Sequence, residues 1–129
     1  MSKKIFFLLL IVGFSSCSIK KHFQQSLLEE ATSIHQEAQK IGLEASTAIA
    51  ELRQQANSIQ VEGRTLTRSE LAFIDQVNNF RGVFQNWEYG EPKLPTIDYI
   101  RLKNKDQILE KQVEWKEGIE DLFAEIKQF

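Results

Sequence analysis

Cysteine, methionine, histidine and proline are nearly missing from this chain. Its 129 residues hold one Cys, one Met, two His and two Pro. A single cysteine excludes an intramolecular disulfide, and with two histidines it leaves too few ligands for a zinc cage. Charge of one sign is also missing. Sixteen Lys and Arg stand against eighteen Asp and Glu, a net charge of −2, which removes the electrostatic footprint of a general nucleic-acid binder. No G-x-S-x-G, Walker-type glycine loop or Rossmann fingerprint occurs. The longest apolar run, Ile5 to Phe14, has ten residues and as a helix would span only ~15 Å, about half the hydrocarbon core of a bilayer. That is too short for a transmembrane anchor. What remains, 42% hydrophobic and 26% charged, is the composition of one small globular domain.

The amino terminus differs from everything after it. Lys3 and Lys4 precede the apolar run, and the small residues Ser15 and Ser16 follow it, directly before Cys17. A basic start, a short apolar stretch and small residues before a cut form a secretory signal peptide. The run Phe14-Ser15-Ser16-Cys17 resembles the lipobox of bacterial lipoproteins, the site of signal peptidase II, with Phe14 and Ser16 standing where Leu and Gly or Ala are usual. The resemblance covers only the first seventeen residues. It implies that residues 1–16 are removed, that Cys17 receives a diacylglycerol thioether, and that the new amine is acylated by a chain such as palmitate. Ordinary secretion and a retained anchor are the alternatives. Several acyl chains, each contributing ~0.8 kcal/mol per buried CH2, hold a protein on a membrane essentially permanently. Ser18 follows the cysteine, and the absence of an Asp retention signal there points to the outer membrane, with the domain facing the periplasm. Cleavage also removes Lys3 and Lys4, leaving fourteen basic against eighteen acidic side chains, a balance of −4. Residues 17–26 then form a lipidated tether in which Lys20, Lys21 and His22 either meet anionic headgroups or stay solvated.

From Leu27 onward the pattern is helical. Leu27, Ala31, Ile34, Ala38, Ile41, Ala45, Ala48, Leu52 and Ile59 follow the four-three step of a heptad seam. The spacing predicts a first helix over about residues 22–62, ~60 Å long, ending at Gly63 and Arg64. Small side chains on the seam let a partner helix approach closely but bury little apolar area. Gly42 beside it is either a close-approach site or a hinge. Thr67 and Glu70 form a capping box, with Leu66 and Leu71 placed for a hydrophobic staple. That sets a second helix over about 67–88, with Phe73, Val77, Phe80, Phe84 and Trp87 on one stripe. Pro92 and Pro95 break the chain. A third helix, starting between residues 97 and 105 and ending near 128, carries Ile108, Gln112, Trp115, Ile119, Leu122 and Ile126. The expected fold is all-α, an antiparallel three-helix bundle or an extended hairpin with a long first arm, over residues 27–129.

The helix lengths suggest a stalk. Helices two and three would cover mainly the distal half of helix one, leaving Leu27, Ala31, Ile34 and Ala38 as an uncovered seam for self-association or for another envelope protein. A bend at Gly42 is the competing arrangement.

Reactive chemistry is not legible. His35 has Ala31, Thr32, Ala38 and Gln39 at helical ligand offsets, and His22 has Ser18, Ile19, Gln25 and Ser26, so neither marks a metal site and each reads as a solvated or capping residue. Glu110, Glu114, Glu117, Asp121 and Glu125 share a face of helix three, as a docking strip or a solvated face. Phe80, Phe84, Trp87, Tyr89 and Trp115 form either an aromatic core or an apolar ligand site. The leading expectation is a non-enzymatic, lipid-anchored structural or adaptor module without catalytic residues, metal or other cofactor. The alternative is a periplasmic binder or chaperone-like protein holding an apolar ligand between helices.

Overall fold

The computed structural model of the chain describes the backbone of residues 16–94, 96 and 105–129, and side chains from Gln25 onward except those of residues 105–106. Three helices carry the described residues: α1 (Ser16–Gln60), α2 (Arg68–Tyr89) and α3 (Lys105–Gln128). No strand occurs among them. The signal-peptide residues 1–15 lie outside the described residues. Cys17 stands at the start of α1, which runs through residues 17–26 without a break.

α1 has 45 residues, ~68 Å of helix, and is continuous through Gly42 rather than bent there. It ends where Gly63 takes a φ of +72°, the left-handed conformation that glycine adopts without a Cβ penalty. The chain then turns into a capped start. Thr67 accepts a bond from the Glu70 amide at 3.2 Å, and the Glu70 carboxylate accepts from the Thr67 amide at 2.9 Å, so two orphan donors of α2 are satisfied reciprocally. Leu66 is half-buried and Leu71 exposed.

Direction follows from which residues meet. α3 is parallel to α1, since Ile108 packs with Leu27 and Ala31, Gln112 meets His35, and Lys116 meets Glu37. α2 is antiparallel to both: Trp87 lies against Gly42 and Trp115, while Phe73 meets Phe129 at the other end. The α1–α3 face is the most extensive of the three. Ala31, Ala38 and Ala45 on that seam are fully buried, which is the close approach that small side chains permit. The aromatic and branched residues then fill the distal core, where Phe80, Ile119 and Leu122 are almost wholly enclosed, each contributing ~1.5–3 kcal/mol by burial.

The uncovered proximal seam expected from helix lengths is absent. Leu27, Ala31 and Ala38 are buried and Ile34 is half-buried. α2 does stop near the level of Gly42, but α3 starts well beyond that point, beside Leu27 and Ala31, and covers them with Ile108 and Leu109. The buried stripe is also rotated from the expected one. His35, Gly42, Ile49 and Ala56, spaced by seven, are buried, whereas Ile34, Ile41 and Ala48 are only half-buried.

Candidate functional site

Polar and aromatic groups converge where α2 ends, midway along the α1–α3 face. Trp87 from the last turn of α2 and Trp115 from the middle of α3 stack in parallel, with ring centroids 4.2 Å apart and an interplanar angle of 1°. Each indole N–H donates to the main-chain carbonyl of the other tryptophan at 2.8 Å. Buried indoles need an acceptor, and here each supplies the other's. The Trp87 carbonyl belongs to the last turn of α2, where carbonyls lack helical partners; it accepts from Trp115 and from the Gly90 amide at 3.1 Å.

Gly42 makes room for this pair. A Cβ at position 42 would stand 2.5 Å from Cη2 and 2.8 Å from Cζ3 of Trp87, closer than packed carbon atoms come. The glycine is thus a close-approach site and not a hinge.

His35 extends the ring series, stacking on Trp115 at 4.9 Å between centroids. Its side chain is 4% exposed, so the expectation of a solvated or capping histidine does not hold. α3 closes over it because the seam runs through position 35. Its Nδ1 lies 2.8 Å from Oε1 of Gln112, itself buried, and its Nε2 lies 3.0 Å from Oε1 of Glu91. Gln112 donates through Nε2 to the Lys93 carbonyl at 3.3 Å, and Gln39 donates to Glu91 at 3.2 Å. Glu91 and Lys93 belong to the segment after α2, so one histidine ties that segment to both long helices. No buried side-chain nitrogen or oxygen among the described residues lacks a partner.

Two ion pairs flank the core. Lys116 donates to Glu37 at 2.6 Å, and that carboxylate holds the ammonium above the ordinary lysine range. Arg64, in the α1–α2 turn, bonds Glu62 and grips Glu70 with both terminal nitrogens. The Arg64 bonds, followed by the Thr67 amide, pull the Glu70 carboxyl down to about 2.

Beside the tryptophans lies an open, mostly apolar cleft of about 500 Å³, with Trp87, Trp115, Gly90 and Pro92 in its wall and Lys111 and Glu114 among its polar lining. Of the aromatic residues singled out from the sequence, Phe80 and Trp115 are core, and Phe84 and Trp87 are partly buried against it. Tyr89 is 96% exposed and belongs to neither core nor cleft wall. The acidic residues Glu110, Glu114, Glu117, Asp121 and Glu125 are exposed on α3. The side chains of Cys17 and His22 lie outside those described. No group of three His, Cys, Asp or Glu suited to a metal ion occurs among the described residues, and none of their helices is long and apolar enough to cross a membrane. His35, Gln112 and Glu91 escape sequence reasoning because they are far apart in the chain; the usable signal was the heptad step from Gly42 back to position 35. Comparison with family models, curated proteins and solved structures gives no match to this chain.

Proposed function

We propose that this chain is a lipid-anchored protein of the bacterial cell envelope that works as a non-enzymatic structural or adaptor module. The observation that carries the reading is Cys17, the only cysteine, set directly after a short apolar run and two serines. A lipid there fixes location, with the outer membrane favoured by Ser18 and the domain facing the periplasm. Because α1 continues from Ser16 into the bundle, a lipid on Cys17 would hold the helical domain close to the membrane. Recognition falls to outward faces, since the Leu27 to Ala38 seam is covered within the chain. Exposed Leu43, Val61 and Tyr89 and the acidic face of α3 are the surfaces offered to another envelope protein or to a second copy.

Replacing Cys17 with Ser in cells tests this reading. The variant is expected in the soluble fraction without incorporated palmitate, while the parent pellets with membranes and is labelled. Unchanged membrane retention of the variant contradicts the anchor.

A second reading, the holding of a small apolar ligand, draws on the cleft beside Trp87 and Trp115. Titrating the protein with decanoate while following tryptophan emission separates the two. A saturable change favours the ligand binder, and a flat response favours the adaptor.

A further inference from the structure

The contacts of His35 determine where its protons are. The Lys93 carbonyl can only accept a hydrogen bond, so the Gln112 amide nitrogen faces it, and the amide oxygen therefore faces Nδ1 of His35. On the other side, Nε2 faces a carboxylate oxygen of Glu91. An ionised carboxylate also only accepts. Both ring nitrogens thus point at acceptors, and only an imidazole carrying two protons donates to both. With one proton, a nitrogen lone pair would oppose an oxygen at hydrogen-bond distance.

The groups around the ring are few. α1 contributes Gln39, which donates to the same Glu91 oxygen; α3 contributes Gln112 and the Trp115 ring; the segment after α2 contributes Glu91 and the Lys93 carbonyl. α2 supplies no titratable group bonded to it, and the nearby charges of Glu37 and Lys116 are paired with one another. The single charge facing His35 is therefore Glu91. Its neighbours Gly90 and Pro92 form part of the wall of the cleft beside Trp87 and Trp115.

We propose that His35 is a proton-operated latch: doubly protonated, it straps the 90–94 segment to α1 and α3 through Glu91, and loss of one proton frees the strap and opens the cleft beside the tryptophan pair. The bonds need the extra proton, so the strap is closed at lower pH and released as pH rises through the titration of the ring. An imidazole in water titrates between about pH 5 and 8, the interval in which the latch works. This device is independent of the lipid anchor.

The test uses the full chain in detergent micelles, with a His22→Gln substitution leaving one histidine. Nitrogen-15 NMR of the ring and amide hydrogen exchange of Lys93 and Leu94, corrected for intrinsic rates, are followed from pH 5 to pH 8. At pH 5 the ring is expected to show two protonated nitrogens. Protection of the two amides is expected to fall at least about five-fold by pH 8, the effect of one lost hydrogen bond. Glu91→Ala, at an exposed position, is expected to show the low protection at both pH values with helix content unchanged. Three results each overturn the latch: a ring with one proton throughout, equal protection at both pH values, or a pH response in Glu91→Ala as large as in the parent.

Discussion

The Trp87 ring rests on the backbone of Gly42, so closely that a Cβ at position 42 would lie 2.5 Å from the ring edge. That contact sets the distance between α1 and α2 at the level where α2 ends, and it explains a glycine inside a long helix. In an exposed helix Gly→Ala gains up to ~1 kcal/mol of propensity. Here the added methyl meets a ring already held by stacking and by a hydrogen bond, and overpacking costs ~1–3 kcal/mol.

Gly42→Ala is therefore expected to destabilise the domain by about 1–2 kcal/mol in denaturant unfolding and to weaken the near-ultraviolet dichroism of the tryptophans. Gly82 in α2 has open space where its Cβ would be. Gly82→Ala is expected to raise stability by ~0.5–1 kcal/mol, separating helix propensity from packing.

The reciprocal bonds of Trp87 and Trp115 make the pair a unit. Either Trp→Phe substitution removes one donor and shrinks one ring, for an expected loss of about 2 kcal/mol. In a double-mutant cycle the two losses should fail to add by at least ~0.5 kcal/mol. Strict additivity would contradict coupling between the indoles.

Gln112 is almost fully buried and is the acceptor for His35 Nδ1. Gln112→Leu keeps the shape but leaves that ring nitrogen without its partner in the core, an expected cost of about 1–3 kcal/mol in thermal or denaturant unfolding. A neutral or stabilising outcome would mean that the ring reorients to find water.

The turn between α1 and α2 should show itself in acid. Arg64 and the Thr67 amide hold the Glu70 carboxyl at about 2, below its ordinary 4.5. A depressed carboxyl contributes stability that is complete above its unfolded value and disappears as pH falls through its folded one. The contribution is thus lost between about pH 4.5 and pH 2. Glu70→Gln is expected to flatten the stability profile in that window relative to the parent chain. Thr67→Ala, which deletes the cap itself, should cost ~1 kcal/mol at neutral pH.

Local signals in the sequence were reliable where their cause is local. The Thr67–Glu70 capping box, the left-handed Gly63 and the break after Tyr89 all depend on a few adjacent residues, and the structure reproduces each. The seam of α1 was legible in period but not in phase. Alanine and isoleucine columns compete for the buried face, and only the packing of α3 decides that Ile49 and Ala56 go inside while Ile41 and Ala48 stay at the edge. The level at which α3 begins could not be read from helix lengths, because it depends on how far the chain after Tyr89 travels before Lys105. That uncertainty concealed the burial of Leu27 and Ala31. The site was least legible. His35 looked polar and unpartnered among its helical neighbours, yet its partners lie 56 and 77 residues away.

The anchor is tested most directly by the intact mass of the protein recovered from membranes. The account predicts a chain that begins at Cys17 and carries a thioether-linked diacylglycerol and an acylated amine. A bare Cys17, in a chain that keeps residues 1–16 or is cut elsewhere, would contradict it.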